Sequence, residues 1–218
     1  MAEVIPGALI VIAKTPEPGR VKTRLSPPLT RGQACDVAWA CLTDTLEAAV
    51  RVPSQRHVLL LDGEPGPWVP AGFEIMAQRG TGLAARLAAG FSDVADHAVV
   101  VAMDTPHVTS DALACALAAL HDGHDSVIGP ATDGGYWLLG LRAGIVGIAP
   151  TDVFSGIPMS TAATGAAQLE RLRTLGLSTL VIDELRDVDT VDDVWAIAAE
   201  FPTTNLARLA NQLRATST

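Results

Sequence analysis

The chain has 218 residues, a formal net charge of −9 and 49% hydrophobic residues. A chain of this length can bury one full hydrophobic core, so we expect a single domain over residues 1–218. Because nucleic-acid-binding surfaces are usually basic, the acidic balance argues against DNA or RNA as the main partner. We find no signal-peptide pattern, no apolar run of the roughly 18 residues that span a bilayer, and no disulfide framework, and we expect a cytoplasmic protein.

Short apolar runs alternate with longer segments of helical periodicity. The runs that predict strands are 8–13, 57–62, 73–77, 98–104, 126–129, 136–141 and 179–182. The segments that predict helices are 30–50, 82–95, 109–121, 162–175 and 190–200, with a last helix from residue 201 that frays at 216–218. This alternation is typical of a mostly parallel sheet with helices on both faces, so we expect an α/β three-layer sandwich.

The loop after the first predicted strand concentrates positive charge against the acidic background. Four cations fall within eleven residues, and they are Lys14, Arg20, Lys22 and Arg24. Ligands of parallel α/β sheets bind at the carboxyl ends of the strands, where several cations suit a polyphosphate. A solvated basic turn is the alternative interpretation. On either interpretation we expect the loop to be exposed.

Acidic residues follow two other predicted strands. Asp104 closes the fourth strand, and Asp187 and Asp189 follow the last one. Residues i and i+2 of an extended segment face the same way, so this pair and Asp104 would form an oxygen-rich site that suits Mg²⁺ or Mn²⁺. Helix capping is the alternative, because Asp189 or Thr190 could cap the helix predicted after them and Asp104 also precedes a helix.

Two segments that contain glycine lie at the same predicted edge of the sheet. Residues 133–136 read Asp-Gly-Gly-Tyr between two predicted strands. Glycines allow a close approach of the backbone to a ligand, but Asp-Gly is also a strong hairpin signal, and both interpretations can hold together. The loop that begins at Gln78 could contact a base or a ribose, or it could be an ordinary strand-to-helix turn.

Four of these segments, in this order, resemble a bacterial family of transferases labelled glycosyltransferase-like or radical-SAM/selenodomain-associated. The segments are residues 13–25, 104–106, 129–136 and 187–190. The resemblance implies the GT-A-like fold of the nucleotide-diphospho-sugar transferases. It also implies a distant similarity to the phospholactate and molybdenum-cofactor guanylyltransferases.

The resemblance also implies roles for individual residues. It matches Lys14, Lys22 and Arg24 to a phosphate-binding loop, Asp104 to a metal-binding aspartate, and Asp187 and Asp189 to a late acidic pair. The chain departs from the family pattern at Ala102, where glycine is usual, at Met159, where tryptophan is usual, and at residues 82–84, where Asp-Leu-Gly is usual. Arg86 is retained after that last segment.

These assignments predict a transferase that depends on a divalent metal and binds a nucleotide or a nucleotide-sugar. Nucleotidyl transfer from a nucleoside triphosphate to a small phosphorylated acceptor is favoured, because three loop cations exceed what a nucleotide-sugar needs beside a metal. The alternatives are glycosyl transfer from a nucleotide-diphospho-sugar and a non-catalytic nucleotide-binding role. The candidate catalytic residues are Lys22, Arg24, Asp104 and Asp133. The candidate nucleotide-binding residues are Lys14, Pro16, Gly19, Lys22, Thr23, Arg24, Gln78, Arg86, Gly134, Gly135 and Tyr136. The candidate metal ligands are Asp104, Asp187 and Asp189.

Overall fold

The computed structural model describes residues 3–216, so the fraying predicted at 216–218 lies largely outside the described residues. The strands are β1 (Ile5–Lys14), β2 (Ser54–Asp62), β3 (Phe73–Ala77), β4 (Ala98–Ala102), β5 (Ser126–Pro130), β6 (Tyr136–Leu141) and β7 (Thr179–Val181). The helices are α1 (Arg31–Val50), α2 (Gly82–Val94), α3 (Ser110–Ala119), α4 (Pro150–Phe154), α5 (Thr164–Thr174), α6 (Val191–Glu200) and α7 (Asn205–Thr216).

All seven strands form one sheet, in the order β3-β2-β1-β4-β6-β5-β7. Every neighbouring pair is parallel except those that include β6, which runs antiparallel to both β4 and β5. The predicted α/β architecture with a mostly parallel sheet is therefore confirmed. The reversal of β6 follows from the tight connection between β5 and β6, since a short hairpin can join only antiparallel strands.

Helices cover both faces of the sheet, which explains why β1 is apolar without interruption from Ala8 to Ala13. Leu9 and Val11 share a buried cluster with residues of α1 and α3 on one face. Ala8 and Ile10 share another with residues of α2, α4 and α5 on the opposite face. The predicted three layers are present, and α4 is an additional helix whose five residues are too few to show helical periodicity in the sequence.

A third buried cluster lies on the side of α1 that faces away from the sheet. It joins Val37 and Cys41 of α1 to residues of α6 and α7. Helix α1 is therefore buried on two sides, and α6 and α7 form a further layer outside it. The same cluster includes Leu25 and Val188, which belong to the loops that follow β1 and β7.

The segments that carry the candidate site residues lie at one edge of the sheet, where β1 and its parallel neighbours end. Lys14 and Asp62 are the last residues of β1 and β2, and their Cα positions pair in the parallel register. Strand β4 ends at Ala102, so Asp104 lies in the turn beyond it. Residues 133–136 form the β5–β6 hairpin at this edge, because β6 runs the opposite way. Within residues 3–216, every helix is too short or too polar to cross a lipid bilayer.

Candidate functional site

The loop after β1 brings a buried lysine against the aspartate of the turn after β4. Nζ of Lys22 lies 2.6 Å from Oδ1 of Asp104 and also donates to the backbone oxygen of Val188. The Lys22 side chain is 8% exposed and that of Asp104 is 36% exposed. Burial acts to lower the pKa of Lys22, but the negative charge of Asp104 opposes it, and the net effect is a raised pKa. The expectation of an exposed loop is wrong at Lys22.

Local backbone geometry and one buried leucine fix this loop. Lys22 has a left-handed backbone conformation (φ 47°, ψ 38°), and Thr23–Leu25 form a short 3-10 turn that the sequence analysis did not predict. Leu25 is fully buried in the cluster formed with α1, α6 and α7. The turn therefore points Lys22 inward and leaves Thr23 and Arg24 at the surface.

We expect Lys22→Ala to lower the free energy of unfolding by about 1.5–3 kcal/mol, because it removes the charge-assisted hydrogen bonds that the buried ammonium group makes to Asp104 and Val188. Arg24→Ala removes a surface ion pair from the same loop and should cost less than about 1 kcal/mol. Urea denaturation of both variants beside the unchanged protein checks this contrast. Equally small losses for the two variants would show that the Lys22–Asp104 pair contributes little to the fold.

Arg24 pairs with the acidic segment that precedes α6. Its Nη1 donates to Oδ2 of Asp189 over 2.7 Å, and the two side chains are 69% and 33% exposed. The cap of α6 is formed by Thr190, whose hydroxyl accepts from the N–H of Asp193, while the Asp193 carboxylate accepts from the N–H of Thr190. Of the two capping alternatives, the one that uses the Asp189 side chain is therefore wrong, and its carboxylate faces Arg24 instead.

Three carboxylates gather beside this pair. Oxygens of Asp133, Asp187 and Asp189 lie within 4.8 Å of one another and form the one cluster of three or more potential metal ligands in the described part of the chain. Burial and then the negative charges of Asp133 and Asp189 raise the pKa of Asp187 to about 6. The expected trio contained Asp104 in place of Asp133. Asp104 is not a member of this group, and its Oδ1 pairs with Lys22.

The two glycines of the Asp-Gly-Gly-Tyr segment serve a contact within the protein. Gly134 has φ +88°, and a Cβ built there would overlap the backbone oxygen of Ala162. The N–H of Gly165 donates to the oxygen of Gly134 over 2.8 Å, and a Cβ on Gly165 would overlap the oxygen of Gly135. The hairpin interpretation is thus supported. The backbone that packs closely against Gly134 belongs to the protein itself, in the segment before α5.

We expect Gly134→Ala to destabilise the protein more than Gly72→Ala does. Gly72 has nearly the same φ, +91°, but a Cβ there meets nothing within 4 Å. Gly72→Ala should therefore cost only the left-handed strain of about 1–2 kcal/mol, whereas Gly134→Ala adds the cost of overpacking, a further ~1–3 kcal/mol. Thermal or urea unfolding measures both. Equal losses would mean that the segment before α5 moves away freely.

A second polar network lies at the ends of β1, β2 and β3. Asp62 accepts from Nη1 of Arg86 at 2.8 Å and lies 3.5 Å from Nζ of Lys14. The hydrogen bond from Arg86 is the main cause of the lowered pKa of Asp62. Gln78 donates to the backbone oxygens of Ala13 and Leu60 and accepts from Arg86. Gln78 and Arg86 therefore belong to one network with Lys14, and its acidic member, Asp62, is a site residue not predicted from the sequence.

Two neighbouring cavities, one lined mainly by cations and the other mainly by carboxylates, meet at this edge of the sheet. The basic cavity, of about 280 Å³, is lined by the cations Lys14, Arg20, Lys22 and Arg24 and by the carboxylates Asp104 and Asp189. The acidic cavity, of about 270 Å³, is lined by Asp104, Asp133, Asp187 and Asp189, by Arg24, and by hydroxyl groups that include Ser160 and Thr161. Arg24, Asp104 and Asp189 line both cavities and mark the boundary between them.

The remaining predicted residues are distributed around these cavities. Thr23 lines the basic cavity, and Gly135 and Tyr136 line the acidic one. Gln78 and Arg86 line a third cavity of about 300 Å³, which also contacts Lys14, Asp104 and Tyr136. The Tyr136 hydroxyl is 3.9 Å from Sδ of Met159, and burial raises its pKa. Pro16 is buried and lines none of the three cavities, and Gly19 lines a separate surface depression with Thr23.

Comparison with solved structures defines the class of protein. The chain superposes on a candidate nucleotide-diphospho-sugar transferase from Desulfovibrio desulfuricans G20 with a TM-score of 0.85 and 26% identity, covering 96% of this chain and 95% of that one. A cytidylyltransferase from Leptospira borgpetersenii serovar Hardjo-bovis superposes with a TM-score of 0.57 and 13% identity, covering 99% of this chain and 96% of that one. A 4-diphosphocytidyl-2C-methyl-D-erythritol synthase from Anaerococcus prevotii superposes with a TM-score of 0.54 and 8% identity, covering 90% of this chain and 98% of that one.

The fold and these similarities define a transferase of the nucleotide-diphospho-sugar transferase superfamily. Within it, the chain belongs to the bacterial family described as "uncharacterized protein conserved in bacteria (DUF2064)", whose model matches residues 39–161. That span includes Asp104 and residues 133–136 but not the basic loop or the late acidic pair. No curated protein matches the chain.

Proposed function

We propose that the protein is a divalent-metal-dependent transferase that binds a nucleotide at the carboxyl edge of the sheet and favours nucleotidyl transfer from a nucleoside triphosphate. The observation that carries the proposal is the contact between the basic cavity and the three-carboxylate group, with Arg24 and Asp189 on their common boundary. Phosphates would lie against Lys14, Lys22 and Arg24, where charge-assisted hydrogen bonds are strongest.

The carboxylate group fits Mg²⁺ or Mn²⁺. Asp133, Asp187 and Asp189 supply hard oxygen ligands. Burial and then the charges of the other two carboxylates raise the pKa of Asp187, and a bound cation would relieve that repulsion. Oxygens bound to Mg²⁺ lie at most about 4.2 Å apart, and one oxygen of each of the three carboxylates lies within 4.8 Å of the others, which is close to that spacing. Bound there, the ion would act as a Lewis acid toward phosphoryl oxygens.

The protein's own side chains then have separable roles. Lys22 is held by Asp104 and would present its charge to a phosphate without leaving its buried position. Arg24 is more exposed and can turn from Asp189 toward a bound phosphate. Because Asp189 would at the same time contribute to the cation site, binding of the metal and of the nucleotide should reinforce each other.

Glycosyl transfer is the second candidate. The structure from Desulfovibrio desulfuricans carries the name of a nucleotide-diphospho-sugar transferase and covers nearly the whole chain at 26% identity. In addition, each cation of the basic cavity already pairs with a carboxylate, namely Asp62, Glu17, Asp104 or Asp189. The surplus of positive charge that favours a triphosphate is therefore smaller than the sequence alone suggests.

A thermal-shift panel separates the two reactions. We expect ATP, CTP, GTP or UTP with Mg²⁺ to stabilise the protein more than UDP-glucose or GDP-mannose does, and more than metal or nucleotide alone, because stabilisation follows affinity by mass action. Arg24→Ala should weaken triphosphate binding about 5- to 100-fold, as expected for one lost charge-assisted hydrogen bond.

Arg79→Ala is the matched control for that variant. Arg79 forms a comparably exposed ion pair with Asp93 and lines none of the cavities described above. A larger shift with the nucleotide-sugars would favour glycosyl transfer over nucleotidyl transfer. An equal effect of the two arginine variants would remove Arg24 from the binding site.

A second experiment separates metal binding from helix capping. We expect Asp189→Asn to weaken Mn²⁺ binding at least tenfold without loss of stability, because the amide keeps the side-chain shape but lacks the charge that holds a hard cation. Thr190→Ala should do the reverse and cost about 1 kcal/mol through loss of the α6 cap. Calorimetric Mn²⁺ titration and urea denaturation of both variants test this. Unchanged Mn²⁺ affinity in Asp189→Asn would exclude it as a ligand.

A further inference from the structure

The third cavity, lined by Gln78 and Arg86, lies beside the basic cavity at the carboxyl ends of β1 and β4. The strand order reverses between β1 and β4, because β2 and β3 lie on one side of β1 and the later strands lie on the other. Open α/β sheets bind ligands in the crevice at such a point. Lys14 and Asp104 line both cavities, so a molecule whose phosphates lie in the basic cavity can extend into the third cavity.

The walls of the third cavity are mainly apolar, and they are formed in part by Ile12, Leu87 and Val100. Leu83 also lines the cavity and is 39% exposed, although its side chain is large and apolar. A flat ring lying against Leu83 would remove this apolar surface from water. The cavity volume of about 300 Å³ is at the lower end of the ~300–1,000 Å³ that is typical of small-molecule pockets. The cavity therefore suits a flat, weakly polar group such as a nucleobase.

Arg86 is held at one end of its guanidinium group. Its Nη1 donates to Oδ2 of Asp62 over 2.8 Å and to Oε1 of Gln78 over 3.1 Å. Gln78 is fixed in turn, because its Nε2 donates to the backbone oxygens of Ala13 and Leu60. Within residues 3–216, Nε and Nη2 of Arg86 make no hydrogen bond. These two nitrogens, called the free edge of Arg86, offer two adjacent donors and no acceptor.

The other charged groups that line the third cavity are already paired. Lys14 lies 3.5 Å from the carboxylate of Asp62, and Asp104 pairs with Lys22. Lys14 and Arg86 share the one carboxylate of Asp62, which leaves a net positive charge beside the free edge. A ligand that binds this edge must therefore offer acceptors. An anion or a base with two adjacent acceptors does so, and the apolar walls favour the base, because a buried charge is more costly to desolvate.

We propose that the third cavity binds the nucleobase, and that the free edge of Arg86 selects cytosine or guanine over uracil or adenine. Cytosine carries N3 and O2 side by side, and guanine carries N7 and O6 side by side, so each presents two adjacent acceptors to the two donors. In uracil and adenine, each acceptor on the corresponding edge stands next to an N–H group, which would oppose one donor of Arg86. The inference rests on the proposed function, which assigns the phosphates to the basic cavity, and it names the nucleotide class for either kind of transfer.

Affinities for matched nucleotides test the inference. The pairs are CTP with UTP and GTP with ATP, each measured by calorimetry with the full chain and Mg²⁺, and inorganic triphosphate is the reference that lacks a base. We expect CTP to bind at least about fivefold more tightly than UTP, or GTP at least about fivefold more tightly than ATP, which is the discrimination of one bidentate contact. The corresponding nucleosides, measured by ligand-observed NMR, should show the same preference.

Arg86→Lys tests the role of the free edge. Lysine keeps the positive charge and can still pair with Asp62, but it lacks the planar fork of donors, so we expect the base preference to fall below about twofold. The affinity for inorganic triphosphate should not change, because the third cavity does not hold the phosphates. Arg79→Lys is the matched control and should leave the preference unchanged, because Arg79 forms an exposed ion pair with Asp93 and lines none of the cavities described above.

Equal affinities within both pairs, or tighter binding of UTP or ATP in either pair, would overturn the inference. A base preference that survives in Arg86→Lys would also overturn it. If Arg86→Lys weakened inorganic triphosphate as much as the preferred nucleotide, Arg86 would be a phosphate ligand and the inference would be wrong.

Failure of the proposed function is a separate result. If inorganic triphosphate and all four nucleotides failed to bind with Mg²⁺, the proposed function would be contradicted. The four nucleosides would then decide the inference, which fails unless cytidine binds more tightly than uridine or guanosine more tightly than adenosine.

Discussion

The ion pair between Lys22 and Asp104 is the interaction on which the arrangement of the site depends. It joins the loop after β1 to the turn after β4, and the second bond of Lys22, to the oxygen of Val188, adds the segment before α6. Three segments distant in the sequence thus meet at one ammonium group. Because that group is buried, its charge must stay compensated, and this requirement keeps the three segments together. Arg24 and Asp189 can then exchange partners at the surface while Lys22 holds its position.

Much of the fold could be predicted because its determinants are local. Continuous apolar runs, such as the one in β1, mark strands buried on both faces, and the alternation with helices implies a parallel sheet. The parallel topology also predicted the edge of the sheet at which the polar residues gather. The antiparallel direction of β6 was implicit in the Asp-Gly hairpin signal at residues 133–136, which could hold together with a close approach of the backbone to a ligand.

The details of the site could not be predicted because they depend on contacts between distant residues. Asp62 ends a strand just as Lys14 does, so its position was a usable signal, but its partner Arg86 is identified only by the packing of α2. The carboxylate group contains Asp133, which the β5–β6 hairpin carries, while Asp104 pairs with Lys22, and both contacts join residues far apart in the sequence. Likewise, the need for glycine at Gly134 arises from Ala162, a residue with no distinguishing feature in the sequence.

Through the third buried cluster, the loops that carry the site residues are supported by helices that lie outside the sheet. Leu25 and Val188, which are fully buried, rest on α1, α6 and α7 and not on the strands whose ends form the cavities. The carboxyl-terminal helices therefore act as a foundation for the basic loop and the late acidic pair. Loss or loosening of α7 would leave the seven-stranded sheet with most of its own hydrophobic contacts, yet it would remove support from beneath Lys22 and Asp189. Folding of the sheet and assembly of a working site are thus separable events, and a shortened chain could complete the first without the second.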